Sequence, residues 1–145
     1  MLLYFKNEEK TKEAFKNGWF YTGDLGYMDE EGFLFLAGRS KDMIISGGQN
    51  VFAVEVEDVL MGHPAVADCA VIGLPDKTWG EAVTAVVVKV PEEEVTEAEL
   101  IDYARKKIAG FKTPKKIIMY EGLLPRTPTG KVTKYVLTDK YASKV

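Results

Sequence analysis

The sequence predicts an α+β fold: a small three-stranded sheet with helices packed on it, preceded by a β-hairpin. Three observations carry this expectation. Val66 to Leu74 and Ala82 to Val90 are β-branched, apolar runs of strand length, bounded by turn residues. Thr96-Glu97-Ala98-Glu99 reads as a capping box, in which the Thr hydroxyl accepts an orphan amide and Glu99 reaches back. From Gly38 onwards the elements follow the order β-α-β-β-α-β-loop-α, which places helices on one side of a small sheet.

Taken in order, Glu8 to Lys16 is a charged stretch that reads as a short helix, broken at Gly18. Trp19 to Tyr21 and Tyr27 to Met28 read as short strands around a Thr-Gly-Asp turn. Asp29-Glu30-Glu31-Gly32 is a hairpin turn before the strand Phe33 to Leu36. It lacks the alternating ligands and distal Glu of a calcium loop. Gly38 to Asp42 is a polar connector, Met43 to Ser46 a short strand, and Gly47-Gly48 a turn that only glycine tolerates. Val56, Val59 and Leu60 follow i, i+3, i+4 spacing, so Ala53 to Met61 is an amphipathic helix. The two long strands are separated by Pro75-Asp76 and the loop holding Trp79 and Gly80. The capped helix runs to about Ile108 and stops at Gly110. Lys116 to Tyr120 is a strand, Leu124 to Gly130 a Pro-, Thr- and Gly-rich loop, and Val132 to about Tyr141 a last helix.

Composition narrows the function. The 145 residues carry a formal charge of −3, one cysteine and one histidine. That excludes an internal disulfide and argues against a Cys/His metal site, so no metal site is expected. No apolar run nears the ~18 residues of a membrane span, and the N-terminus is no signal peptide; a cytoplasmic protein is expected. The charge is unevenly spread: residues 1–37 carry −3, residues 38–104 carry −9, and residues 105–145 carry +9. A basic third suits either a solvated tail or a phosphate-bearing ligand. It shows no nucleic-acid motif, so nucleic acid is not expected as a partner.

Three polar loops stand out: Tyr21 to Gly26, Gly38 to Asn50, and Pro125 to Lys131. The last is not a phosphate-binding P-loop, because Pro125 stands where that motif needs glycine and Val132 where it needs Ser or Thr. There is no GxGxxG and no GxSxG elbow, and a single His leaves little scope for a Ser-His-Asp triad.

Together these loops resemble the adenylate-forming enzymes: acyl-CoA synthetases, luciferase and peptide-synthetase adenylation domains. GWFYTGDLG (Gly18 to Gly26), GRSKDMIISGGQNVFAVEVE (Gly38 to Glu57) and PRTPTGKV (Pro125 to Val132) are similar to three motifs near the C-terminal end of that family, in the same order. SGGQN, the GRSKD segment and FKTPK (Phe111 to Lys115) favour the CoA ligases over the peptide synthetases.

The resemblance implies activation of a carboxylic acid by ATP with Mg2+ to an acyl-AMP, followed by transfer to the thiol of CoA. It implies Lys131 as the catalytic lysine, Asp24 on the ribose hydroxyls and Arg39 on the nucleotide. Lys41 falls at the hinge about which the small domain swings, and Ser46, Gly47, Gly48, Trp79 and Phe111 fall where CoA approaches. Thr113 stands where some ligases carry a base for a CoA phosphate, so Lys112, Lys115 or Lys116 would have to serve. The basic third then faces adenosine phosphates.

It also implies a division of the chain. Residues 38–145 would be the C-terminal lid, and residues 1–37 the remnant of a large N-terminal adenylation domain. Met1 matches an internal position of the family, so the expectation is a fragment that is inactive alone and binds no cofactor tightly. A non-catalytic lid-like module and a subunit of a split enzyme are the alternatives. In either case the first 37 residues should expose apolar surface and promote self-association, or stay disordered.

Overall fold

Asn7 starts the first helix, its Oδ1 accepting the amide of Lys10 at 2.9 Å, as an N-cap side chain does. The computed structural model describes residues 4–142, so Met1 lies outside it. From Asn7, α1 runs Glu8–Ala14 and leads into β1 (Phe15–Lys16) and β2 (Trp19–Phe20), an antiparallel pair. Asn17 and Gly18 between them both have positive φ, 52° and 79°, as a tight two-residue hairpin turn requires. A second hairpin pairs β3 (Asp24–Met28) with β4 (Leu34–Arg39). Asp29 closes its turn, its Oδ1 accepting the amides of Glu31 at 3.1 Å and Phe33 at 2.8 Å.

These elements form one of two units, Met1–Lys41; the other is Asp42–Val145. Gly38 and Arg39 complete β4 and so stand with the first unit. Many of its described apolar residues are not covered: Trp19 is 75% exposed and Leu36 70%, and Tyr27, Met28, Phe33 and Leu34 are each exposed by more than half. The run Phe33-Leu34-Phe35-Leu36 is apolar on both faces of β4, the pattern of a strand built to be covered on both sides.

A single helical turn, Ser40–Asp42, runs from the last residues of the first unit into the first residue of the second. There β5 (Met43–Ser46) and β6 (Gln49–Phe52) form a hairpin over Gly47 and Gly48, at φ 58° and 77°. α2 (Ala53–Met61) follows, then the long antiparallel hairpin β7 (Val66–Asp76) and β8 (Gly80–Lys89). α3 (Glu97–Arg105), β9 (Lys116–Met119) and α4 (Lys134–Ala142) complete it. The capping box of α3 is formed, and the two Thr96 hydrogen bonds to Glu99 hold that carboxyl below its ordinary range. The sheet order is β6-β5-β8-β7. Against β8, β5 pairs only at Ser46–Gly80, and β9 runs parallel to Thr84–Val87.

The α+β class holds, with two corrections. The sheet has five strands rather than three, since β5 and β6 join the three expected. β6 begins with Gln49 and Asn50, so no apolar alternation announces it; the Gly47-Gly48 turn creates it by folding the chain back on β5. The helices also occupy both faces of the sheet rather than one. Val71, Val83, Ala85, Val87 and Ile117 pack with α2 and α3 through Val56, Leu60, Leu100 and Ala104. Ala70, Ile72, Leu74 and Val86 pack on the opposite face with Leu124 and Leu137 of α4. Period-two alternation sends successive residues of β7 and β8 to opposite faces, and both are apolar, so both must be covered. Leu60, Leu100 and Leu137 are fully buried, each worth about 1.5–3 kcal/mol of transfer free energy.

Candidate functional site

Asp24 and Arg39 open and close the second hairpin, and strand register sets them directly opposite each other. Arg39 Nε lies 3.2 Å from Asp24 Oδ1, and the Asp24 amide donates to Thr22 Oγ1 at 3.0 Å. The two expected nucleotide residues are therefore one ion pair, at an exposed position where the pair adds little stability. Lys41 is exposed in the turn Ser40–Asp42, at the last position of the first unit.

In the second unit, the β5–β6 turn meets the β7–β8 turn. Gly47 donates its amide to the Trp79 carbonyl at 2.8 Å, and a Cβ on Gly47 would lie 3.0 Å from Trp79 Cε3. The indole thus packs against a surface that only glycine leaves open. Asp76 shapes the Trp79 turn, its Oδ1 accepting the amides of Thr78 and Trp79 at 2.8 and 2.9 Å. Ser46 is buried, and its Oγ has no hydrogen-bond partner among the described residues. Gly48 has nothing within 4 Å of where a Cβ would stand, so it opens to space.

Phe111 is 39% exposed, and its segment reaches this corner through Lys115, whose Nζ stands 4.9 Å from the centroid of the Trp79 ring. Lys112 is committed elsewhere, with Nζ 2.7 Å from both carboxylate oxygens of Glu55. Thr113 is buried. Of the lysines considered in place of a base at Thr113, Lys115 is the one held beside Trp79.

Lys131 sits on a loop closed on itself. The Thr127 amide donates to the Lys131 carbonyl at 2.8 Å, and Gly130 donates to the Thr127 carbonyl at 2.8 Å. Lys131 donates its own amide to Thr127 Oγ1 at 3.1 Å, while Arg126 and Val132 bridge the loop's base. Gly130 has φ 84°, a left-handed conformation that glycine adopts without strain. The Lys131 side chain is exposed and has no ion-pair partner among the described residues, so its ammonium is free to meet an anion.

Two contributors were not visible in the sequence. Arg126 Nη2 binds Asp68 Oδ2 at 2.5 Å while its Nη1 donates to the Gly130 carbonyl at 2.7 Å. Asp68 and Arg126 are 58 positions apart, and no local pattern couples them. The pair fixes the Lys131 loop beside Asp68 on β7, whereas Asp76, eight residues further along that strand, belongs to the Trp79 corner. At about 3.3 Å per residue, their anchor positions Asp68 and Asp76 stand roughly 26 Å apart along β7.

Among the described residues no cluster of His, Cys, Asp and Glu could hold a metal ion, and no helix is long and apolar enough to cross a membrane.

Residues 55–131 match the family model described as AMP-binding enzyme C-terminal domain. The chain is similar to the long-chain-fatty-acid–CoA ligase FadD13 of Mycobacterium tuberculosis, 49% identical over 142 residues, covering 98% of this chain and 28% of that protein. It is similar to the 2-succinylbenzoate–CoA ligase of Bacillus mycoides, 47% identical over 131 residues, covering 90% of this chain and 27% of that protein. Among solved structures it resembles ATP-bound MatB from Rhodopseudomonas palustris, with a TM-score of 0.88 and 42% identity over 98% of this chain and 28% of that one. The chain therefore spans between a quarter and a third of the length of these relatives.

Proposed function

The chain belongs to the AMP-binding enzyme C-terminal domain family, and on that premise we propose that the second unit, which begins at Asp42 rather than at Gly38, is the swinging lid of an AMP-forming acid–CoA ligase. The first unit, with Gly38 and Arg39 in its second hairpin, would complete a larger adenylation domain that holds ATP and the acid. The observation that carries this reading is the separation of the Lys131 loop from the Trp79 corner along one rigid hairpin. Groups anchored eight residues apart on one strand, at Asp68 and at Asp76, are not expected to serve one reaction centre at once. A rigid body carrying both presents them in turn by rotating about a hinge, a role that suits Lys41 in its exposed turn.

In the first step a carboxylate oxygen attacks the α-phosphorus of ATP, a P–O bond forms, and the bond to pyrophosphate breaks. Two anions approach and charge builds on the phosphoryl oxygens. The free ammonium of Lys131 offsets that charge. Asp24 gives one oxygen to Arg39, which leaves the other to accept from ribose hydroxyls, and the remaining guanidinium donors of Arg39 face nucleotide oxygens. In the second step the CoA sulfur attacks the acyl carbonyl and AMP leaves. Gly47 and Gly48 give the pantetheine arm space, Ser46 lies in the same turn, and Trp79, Phe111 and Lys115 offer aromatic and cationic contacts. Among the described residues no group of His, Cys, Asp and Glu would hold a metal, so this reading has Mg2+ arrive with the ATP phosphates.

Replacing the matching stretch of MatB with this chain tests the reading. The graft is expected to release pyrophosphate and form a CoA thioester, with a carrier protein a poor acceptor. Lys131→Ala is expected to slow pyrophosphate release by roughly 100-fold or more. A Lys131→Ala graft that releases pyrophosphate at the parent rate would sink the assignment. The chain alone is expected to turn over no ATP, and to self-associate through the uncovered apolar residues of its first unit, which sedimentation velocity reads. A cytoplasmic site of action follows from the same reading.

A further inference from the structure

We infer that Arg126, anchored by Asp68, is the positioning residue that aims Lys131 in the adenylation step. The inference rests on Lys131 being the adenylating cation, and goes beyond it by naming what holds that cation in place. The peptide plane between Gly130 and Lys131 is fixed at both of its polar atoms. Its carbonyl, on Gly130, accepts from Arg126 Nη1 at 2.7 Å; its amide, on Lys131, donates to Thr127 Oγ1 at 3.1 Å. Pinning both ends of that plane fixes the N–Cα bond of Lys131, and the Thr127 amide donating to the Lys131 carbonyl at 2.8 Å restrains its φ, so the direction in which the side chain leaves the backbone is set.

The strut continues into the sheet. Arg126 Nη2 meets Asp68 Oδ2, and Asp68 Oδ1 in turn accepts the amide of Cys69, so the carboxylate is held on both oxygens. A planar guanidinium can bind a carboxylate and a carbonyl through two different nitrogens at once. A lysine ammonium, a point charge on a flexible stem, does not reproduce that fork. The loop needs such a strut because it is exposed: Pro128, Thr129, Gly130 and Lys131 pack against no core. Without it the backbone that carries the ammonium loses its anchor, and a misplacement of about an ångström costs of the order of a hundredfold in rate when the reacting geometry is tight.

Two measurements test this. In the full 145-residue chain, Arg126→Met should speed amide hydrogen exchange at Gly130 and Lys131 about tenfold while leaving the β7–β8 amides unchanged. In the MatB graft, Arg126→Met should lower kcat for pyrophosphate release by roughly 10- to 100-fold, with little change in the KM for ATP. Thioester formation from supplied acyl-AMP and CoA should be spared, because that step uses the Trp79 corner. Arg126→Lys keeps the charge without the fork and should share most of the loss. Unchanged exchange at Lys131, adenylation within about twofold of the parent graft, or equal loss in both half-reactions would each overturn the inference. If Lys131→Ala abolishes adenylation while Arg126→Met does not, the inference alone falls. If Lys131→Ala is also silent, the reading of Lys131 falls and takes the inference with it.

Discussion

Lys134 Nζ lies 2.7 Å from Glu57 Oε1, and that contact ties α4 to α2 round the open edge of β7. The two helices cover opposite faces of the sheet, so the ion pair closes the sandwich at its side. Glu57 Oε1 also accepts the amide of Val71 at 2.7 Å, satisfying a strand N–H on the edge that β8 does not use. Both side chains are mostly buried.

Two replacements of Glu57 should have unequal effects. Glu57→Ala leaves a buried ammonium and an unpaired strand amide, and should cost about 2–3 kcal/mol. Glu57→Gln keeps an acceptor for Val71 and should cost about half as much. Urea unfolding of the three chains measures the ranking; equal costs for Ala and Gln would show that the edge hydrogen bond carries no weight.

Gly47 and Gly48 share a left-handed conformation but differ in surroundings. Gly48→Ala should cost about 1 kcal/mol, the backbone term alone. Gly47→Ala adds a Cβ 3.0 Å from the Trp79 ring and should cost about 2 kcal/mol, with the indole displaced. In a Trp79→Ala background the excess at Gly47 should vanish, since the atom it strikes is gone. Thermal unfolding of the double-mutant cycle reads this directly; an excess that survives would place the strain in the backbone.

The sequence announced these elements where local chemistry decides them. Ala53–Met61 has the apolar spacing of a helix, Thr96 and Glu99 form their capping box, and Asp29 closes its hairpin turn. It did not announce what depends on distant partners. β6 is half polar and exists because the Gly47-Gly48 turn folds it onto β5. α4 buries only Leu137, so its pattern does not say which face of the sheet it takes. Asp24 and Arg39 could be picked out singly by resemblance, but their pairing comes from register across a bulged hairpin. Asp68 and Arg126 lie too far apart in sequence for any local pattern to couple them.

Leu137 is the anchor of α4. It is fully buried with Leu124 and Ile72, and no other residue of the helix is. Leu137→Ala should cost about 3 kcal/mol, within the range of buried Leu truncations. Because Lys134 rides on the same helix, the Leu137→Ala and Lys134→Met effects should be less than additive in urea unfolding. Strict additivity would mean that α4 stays docked without its leucine.

Cys69 provides a stability signal at alkaline pH. Burial first, and then the charges of Glu57 and Asp68, push its thiol from 9.0 up to about 12. The folded chain therefore holds this proton more tightly than the unfolded chain does. The resulting stabilisation is complete below pH 9 and is lost as the pH rises from 9 towards 12, at no more than about 1.4 kcal/mol per pH unit. Other groups titrate in the same window, so the measurement is the difference between the parent and Cys69→Ala. Above pH 9 the parent should lose stability more steeply, and at neutral pH its thiol should resist alkylation until the chain unfolds. Parallel stability curves from pH 9 to 11, or rapid alkylation of the folded chain, would show that the thiol is neither buried nor held protonated as the packing of β7 requires.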